Sequence, residues 1–164
     1  MENPSRRRFF SQLVKPSRQA ESKHTTIHQL PWLKSDNGFT DICTRCEKCI
    51  QSCESNIIVK GVGGFPTVEF SVGECTFCYQ CAENCPESLF DEKTTLPWQI
   101  KADISSACLA KNNIECRSCA EQCDQNSIQF KLQIGKVAQP QVDITSCNGC
   151  GACVAGCPVS AISL

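Results

Sequence analysis

Histidine is nearly missing from this chain of 164 residues: there are two, His24 and His28, both ahead of the first cysteine. They read as solvated side chains, which argues against a Rieske centre, where two histidines replace two cysteines on one iron. A nucleophile–base motif and a Gly-rich phosphate loop are also missing. The chain therefore shows no catalytic constellation and reads as a non-enzyme. No stretch approaches the ~20 apolar residues of a membrane span. Apolar side chains are scarce as well. The 41% hydrophobic share counts cysteine; without it the share falls to roughly 31%, thin for the self-sufficient core of a small domain. Something other than apolar burial must hold the fold.

What the chain has instead is cysteine, sixteen residues of it. At that density the choice lies between disulfides and metal. A disulfide scaffold needs secretion and hence a signal peptide. The N-terminal run Ser5-Arg6-Arg7-Arg8-Phe9-Phe10 looks like a twin-arginine export motif. A signal of that kind continues into an apolar segment of about 7–15 residues, whereas this chain continues SQLVKPSRQAESKH, polar and charged. The expectation is a soluble cytoplasmic protein whose thiols stay reduced and whose cysteine clusters bind metal.

The cysteines fall into four groups: Cys43, Cys46, Cys49 and Cys53; Cys75, Cys78, Cys81 and Cys85; Cys108, Cys116, Cys119 and Cys123; Cys147, Cys150, Cys153 and Cys157. Groups one, two and four have the spacing C-x2-C-x2-C-x3-C, and groups two and four add Pro86 and Pro158. This is the run of bacterial ferredoxins. Two residues between cysteines let one tight loop offer three thiolates to three irons of a cubane, and the fourth iron lies out of its reach. In two-cluster ferredoxins the fourth cysteine ligates the other cluster. The glycines of Asn148-Gly149-Cys150-Gly151 serve the tight loop. Zinc ribbons also use C-x2-C pairs, but a third cysteine at the same spacing has no task in a four-cysteine zinc site. A thioredoxin-like reading lacks the surrounding βαβ pattern. All sixteen cysteines are thus expected as ligands of four [4Fe-4S] clusters.

Group three departs from the pattern. Seven residues, Leu109 to Glu115, separate Cys108 from Cys116. An outward bulge lets Cys108 ligate; the alternative is a spare buried cysteine and an exposed iron site. Groups one and three carry Glu54 and Asp124 where the others have proline.

Other punctuation repeats. Strand-like segments, Pro66-Thr67-Val68-Glu69-Phe70 and Pro140-Gln141-Val142-Asp143-Ile144, precede groups two and four. Short apolar runs follow the motifs at Ile57–Val59, Leu89-Phe90, Ile128–Phe130 and Ala161-Ile162, and suit small β-hairpin strands. Leu30-Pro31-Trp32 and Leu96-Pro97-Trp98 stand upstream of groups one and three. The chain reads as a duplicated two-motif unit. The fold expected is α+β: two tandem bacterial-ferredoxin-like halves at 40–95 and 96–164, loop-rich and cluster-stabilised, behind a basic N-terminal arm and linker at 1–39. The repeat favours clusters paired within halves. One set is then Cys43, Cys46, Cys49 and Cys85, and its partner Cys75, Cys78, Cys81 and Cys53. The second half has Cys108, Cys116, Cys119 and Cys157, then Cys147, Cys150, Cys153 and Cys123. A nested scheme, motif one with four and two with three, uses the same sixteen ligands.

Charge is lopsided. The formal net charge is −1, yet residues 1–24 carry a net +4 and the rest −5. Each oxidised cluster with four thiolates adds about −2, so the body becomes strongly anionic and would repel nucleic-acid phosphates. The arm either folds back on this body or docks a partner.

The order of these features resembles the NapF family, the ferredoxin-type accessory proteins of periplasmic nitrate reductase systems. The resemblance rests on the SRR start, the PW before CTRCEKCIQSCESNII, the GGFP turn, ECTFCYQCAENCPESLF, the irregular C-x7-C before ECRSCAEQC, and CNGCGACVAGCPVSAI. It implies a cytoplasmic protein with [4Fe-4S] clusters on all sixteen cysteines. It implies as partner the catalytic subunit NapA before export, and a role in maturing that subunit's own cluster. The alternative is a general electron-transfer polyferredoxin.

Overall fold

The computed structural model of the chain describes residues 29–34 and 38–164. Most of the expected basic arm at 1–39 lies outside these residues. Every cysteine motif folds as a loop that ends in one helical turn. In the first half, α1 (Phe39–Ile42) leads into motif one and α2 (Lys48–Gln51) carries its third cysteine. The chain then enters β1 (Ile58–Lys60), turns through a 3-10 segment at Val62–Gly64 and returns as β2 (Pro66–Val68). Ile58 stands opposite Val68 in this antiparallel hairpin. Motif two follows, with its third cysteine in α3 (Gln80–Glu83).

The second half repeats the plan after β3 (Asp103–Ile104). Motif three runs into α4 (Ser118–Glu121), then β4 (Ile128–Gln133) and β5 (Lys136–Val142) form the longer hairpin. Motif four runs into α5 (Ala152–Ala155), and β6 (Ile162–Ser163) closes the half. The two hairpins begin in the same register. Ile128 faces Val142 as Ile58 faces Val68. Just beyond, the Glu69 N–H donates to the Ile57 carbonyl and the Asp143 N–H to the Ser127 carbonyl, each at 2.7 Å. Single-turn helices have no stability of their own, so loops and packing must hold them.

The runs Leu89-Phe90 and Ala161-Ile162 do not form hairpins. Phe90 bridges Leu33, and β6 pairs antiparallel with β3, Ile104 opposite Ile162. Each half is closed by pairing its last segment with one upstream of its first motif. The Leu-Pro-Trp repeat diverges. Trp32 is buried at 4% exposure in the first half, and its backbone N–H donates to the Pro97 carbonyl at 2.6 Å. Trp98 is half-buried and lies between the halves. Its ring meets Phe70 and Phe77 edge-on at 5.8 Å, and its Nε1 donates to the Asn148 carbonyl at 3.1 Å.

Two small cores result. One gathers Leu30, Ile57, Ile58, Val68, Phe70 and Cys81; the other Ala102, Ile104, Cys119, Ile128, Cys153 and Ile162. Val154 and Leu164 pack against both, so the halves share a seam. A fully buried Ile or Val contributes roughly 1.5–3 kcal/mol, and few are present to do so. Among the described residues no helix is long and apolar enough to cross a membrane.

Candidate metal centres

Three cavities open inside this frame, and each is walled by four cysteines. The first, of about 400 Å³, is bounded by Cys53, Cys75, Cys78 and Cys81. The second, about 390 Å³, is bounded by Cys43, Cys46, Cys49 and Cys85. The third, about 310 Å³, is bounded by Cys123, Cys147, Cys150 and Cys153. Each takes three cysteines from one motif and the fourth from the other motif of its half. Of the remaining four, Cys108 and Cys116 lie near Cys119, and Cys108 and Cys157 pack against the core that contains Cys119. Among the described residues no three His, Cys, Asp or Glu side chains meet as a single-ion site. Four thiols around a void suit a [4Fe-4S] cubane, which is held by four cysteine thiolates.

The loops are shaped by paired left-handed residues. In motif one these are Arg45 (φ 55°) and Glu47 (φ 63°), in motif two Phe77 (φ 54°) and Tyr79 (φ 74°), in motif four Gly149 (φ 76°) and Gly151 (φ 90°). The second of each pair immediately precedes the helical turn with the third cysteine. A non-glycine residue in this region costs about 1–3 kcal/mol, and contacts offset it. Glu47 pairs with Lys60 at 2.6 Å, and the Arg45 guanidinium sits 5.0 Å from the Phe65 ring centre. Tyr79 donates its hydroxyl to the Asp91 carbonyl at 2.6 Å and meets Trp32 edge-on at 5.0 Å. In motif four closeness demands glycine: a Cβ on Gly149 would stand 2.5 Å from the Ile100 carbonyl oxygen, and one on Gly151 2.0 Å from the Phe70 ring.

Motif three is built differently. Arg117, which precedes α4, has φ −132°. The seven-residue segment between Cys108 and Cys116 folds back as one 3-10 turn at Ala110–Asn112, with Asn113 left-handed. Ala110 is buried at 1% exposure. The Asn112 side chain donates to the Ser106 and Cys108 carbonyls at 2.8 and 2.9 Å. Gln139 of β5 donates to the Ala110 carbonyl at 2.7 Å, the Val137 N–H donates to Asn113 Oδ1 at 3.2 Å, and Lys111 Nζ donates to the Ile104 carbonyl. The expected outward bulge is a turn pinned to the hairpin, and it returns Cys108 to the side of Cys119.

Electrostatics show what the sulfurs require. Burial, with neighbouring cysteines adding to it, pushes the thiols of Cys81 and Cys153 up to about 12 and those of Cys49, Cys75 and Cys119 up to about 11. Exposed Cys46 goes the other way, its thiolate stabilised first by the Lys48 N–H. Four thiolates cannot share a buried cage unless positive charge accompanies them. Iron would supply that charge, and its binding would release protons. Backbone donors are already aimed at sulfur: the Ser127 N–H lies 3.3 Å from Cys123 Sγ and the Ala161 N–H 3.2 Å from Cys157 Sγ.

Two features of the site escaped the sequence. The first is a junction: the Cys75 N–H donates to the Cys150 carbonyl at 2.8 Å, so ligand loops of the two halves touch. The second is Ser127, whose equivalence to Ile57 becomes visible when the two hairpins are compared.

Similarity to known proteins agrees with this construction. The 4Fe-4S dicluster domain family matches residues 42–90 and again, through a second family of the same description, residues 114–161. The ferredoxin-type protein NapF of Escherichia coli (strain K12) is 47% identical over 133 residues, covering 81% of each chain. The ferredoxin-type protein NapF of Haemophilus influenzae is 48% identical over 82% of this chain and 76% of its own length. The methylamine utilization ferredoxin-type protein MauM of Methylobacillus flagellatus is 25% identical over 98% of this chain and 82% of its own. With two dicluster domains in tandem and these relatives, the chain belongs to the NapF family of ferredoxin-type iron–sulfur proteins.

Proposed function

We propose that the sixteen cysteines hold four [4Fe-4S] clusters and that the protein serves, in the cytoplasm, as an accessory factor for the catalytic subunit of periplasmic nitrate reductase, NapA, before that subunit is exported. The arrangement of twelve cysteines as three sets of four, each lining a cavity, supports the cluster assignment. Similarity to the NapF proteins supports the partner. The halves at 40–95 and 96–164 are the two cluster-bearing domains, Leu30 and Trp32 are packed into the first of them, and the basic residues ahead of these, from Arg6 to Lys23, form the segment that docks the precursor. The clusters supply one-electron chemistry when bound. The protein's own residues hold the thiolates, exclude water from Cys81, Cys119 and Cys153, and aim backbone N–H groups at sulfur.

A second role, electron carrier to a redox enzyme, draws support from the hydrogen bond between Cys75 and Cys150. That contact brings one ligand loop of each half together and gives electrons a short way across the seam. An anaerobic pull-down of the NapA precursor on the cluster-loaded protein separates the two roles. Retention of the unexported precursor over the mature enzyme favours maturation. Absence of retention, with iron content verified, favours the general carrier. Replacing Arg6, Arg7 and Arg8 by alanine should weaken retention most at low salt, where charges are least screened.

A further inference from the structure

The fourth residue after the last cysteine of each motif is buried: Ile57, Leu89, Ser127 and Ala161, at 2%, 5%, 1% and 2% exposure. Three of the four are apolar. The fourth is a hydroxyl, and Ser127 Oγ has no hydrogen-bond partner among the described residues. An inaccessible hydroxyl without a partner is costly and calls for one.

The surroundings identify the partner. Ser127 lines the cavity walled by Cys123, Cys147, Cys150 and Cys153, and its backbone N–H already donates to Cys123 Sγ. Its counterpart Ile57 lines the corresponding cavity of the first half, walled by Cys53, Cys75, Cys78 and Cys81. The equivalence is fixed by hydrogen bonds, since Ile57 and Ser127 accept the same backbone bond at the end of each hairpin. A [4Fe-4S] cluster presents sulfide and thiolate sulfurs as acceptors, and hydrogen bonds to those sulfurs are among the factors that set its potential. A donor stabilises the reduced form, which carries one more negative charge.

We propose that the Ser127 hydroxyl donates a hydrogen bond to the cluster held by Cys123, Cys147, Cys150 and Cys153, and raises its reduction potential above that of the cluster beside Ile57. Ser127 is thus a tuning residue that makes the duplicated halves unequal as electron acceptors. This rests on the cluster assignment proposed above.

Protein-film voltammetry of the anaerobic full-length protein tests it, with iron measured on every sample. In Ser127→Ala one wave should move to lower potential and the others stay. A tenfold change in the reduced-to-oxidised ratio at fixed potential corresponds to about 59 mV for one electron, and a shift of that order is expected. Ser127→Thr keeps the hydroxyl and should restore the wave, while Ile57→Ser should raise a different one. Unmoved waves in Ser127→Ala at wild-type iron content overturn the role of Ser127 and leave the cysteine assignment standing. Wild-type protein that binds far less than four clusters' iron overturns the assignment itself. Should Ser127→Ala load less iron, Ile57→Ser decides: a raised wave supports the tuning role, and unmoved waves overturn it.

Discussion

The two halves of this protein share a frame and differ in how they tolerate it. In the first half the left-handed loop positions are filled by Arg45, Glu47, Phe77 and Tyr79, and side-chain contacts carry the strain. In the second half motif four uses Gly149 and Gly151, because the chain at Ile100 and the ring of Phe70 press against them. Motif three drops the left-handed residue before its helical turn and reaches its first cysteine through a pinned turn. The cysteine loops are therefore held by contacts, by glycine or, in a different geometry, by a pinned turn, and each route has its own weak point.

Removing a ligand should have the largest effect. Cys116→Ser, Cys119→Ser or Cys157→Ser should each cost about four iron atoms per chain and destabilise the second half, because metal binding free energy becomes folding free energy. Cys53→Ser sharpens the comparison between halves. Pairing within halves predicts loss of the cluster on Cys75, Cys78 and Cys81. A nested arrangement predicts loss in motif four instead. Mössbauer and EPR spectra with iron analysis distinguish them, and unchanged iron in all of these variants would falsify the ligand set.

Gly151→Ala comes next. It combines a left-handed backbone with a collision against Phe70, and should destabilise by about 2–5 kcal/mol in anaerobic denaturant unfolding. Tyr79→Gly, at the matching position of motif two, trades the Trp32 contact for relief of strain and should change stability by about 1 kcal/mol or less. Equal losses would mean that the loops do not differ in the way described.

Cluster uptake should depend on pH alike in both halves. The thiols of Cys81 and Cys153 are pushed up to about 12, so protons must leave when iron binds. Occupancy at limiting iron should rise with pH, with protons released into an indicator dye. A flat profile would mean that the iron-free thiols are already ionised. For the iron-free chain the sign reverses. Raised thiol values favour the folded state at neutral pH, and that contribution is lost as pH climbs from 9.0 towards about 11 to 12.

The smallest effect belongs to Asp143. Its carboxylate accepts hydrogen bonds from the Thr145 N–H at 2.9 Å, the Thr145 hydroxyl at 2.6 Å and the Ser146 hydroxyl at 2.9 Å, which hold it down at about 2. Glu69 occupies the matching site in the first half, where five residues rather than three separate it from the motif. Asp143→Asn should lower the melting temperature slightly. The difference from wild type should be present above pH 3.8 and fade as pH falls through about 2; a difference that persists there would assign the turn to backbone geometry alone.

Much of the candidate site was legible in the chain because the four cysteine groups are a matter of residue type and spacing. The hairpin strands and the duplicated order follow from short apolar runs and motif spacing, which are local. The cysteine spacing determined which residues could face a cluster, and the scarcity of apolar side chains determined that something besides a core must hold the fold. Only the tertiary structure decided which fourth cysteine completes which cavity, since that depends on how two distant motifs fold against each other. It also decided that Trp32 is buried while Trp98 bridges the seam, that the insertion after Cys108 turns back onto β5, and that Cys75 touches Cys150. Ser127 belongs to the same class: a serine in a sequence carries no sign of burial, and its orphaned hydroxyl acquires meaning only when the cavity closes around it.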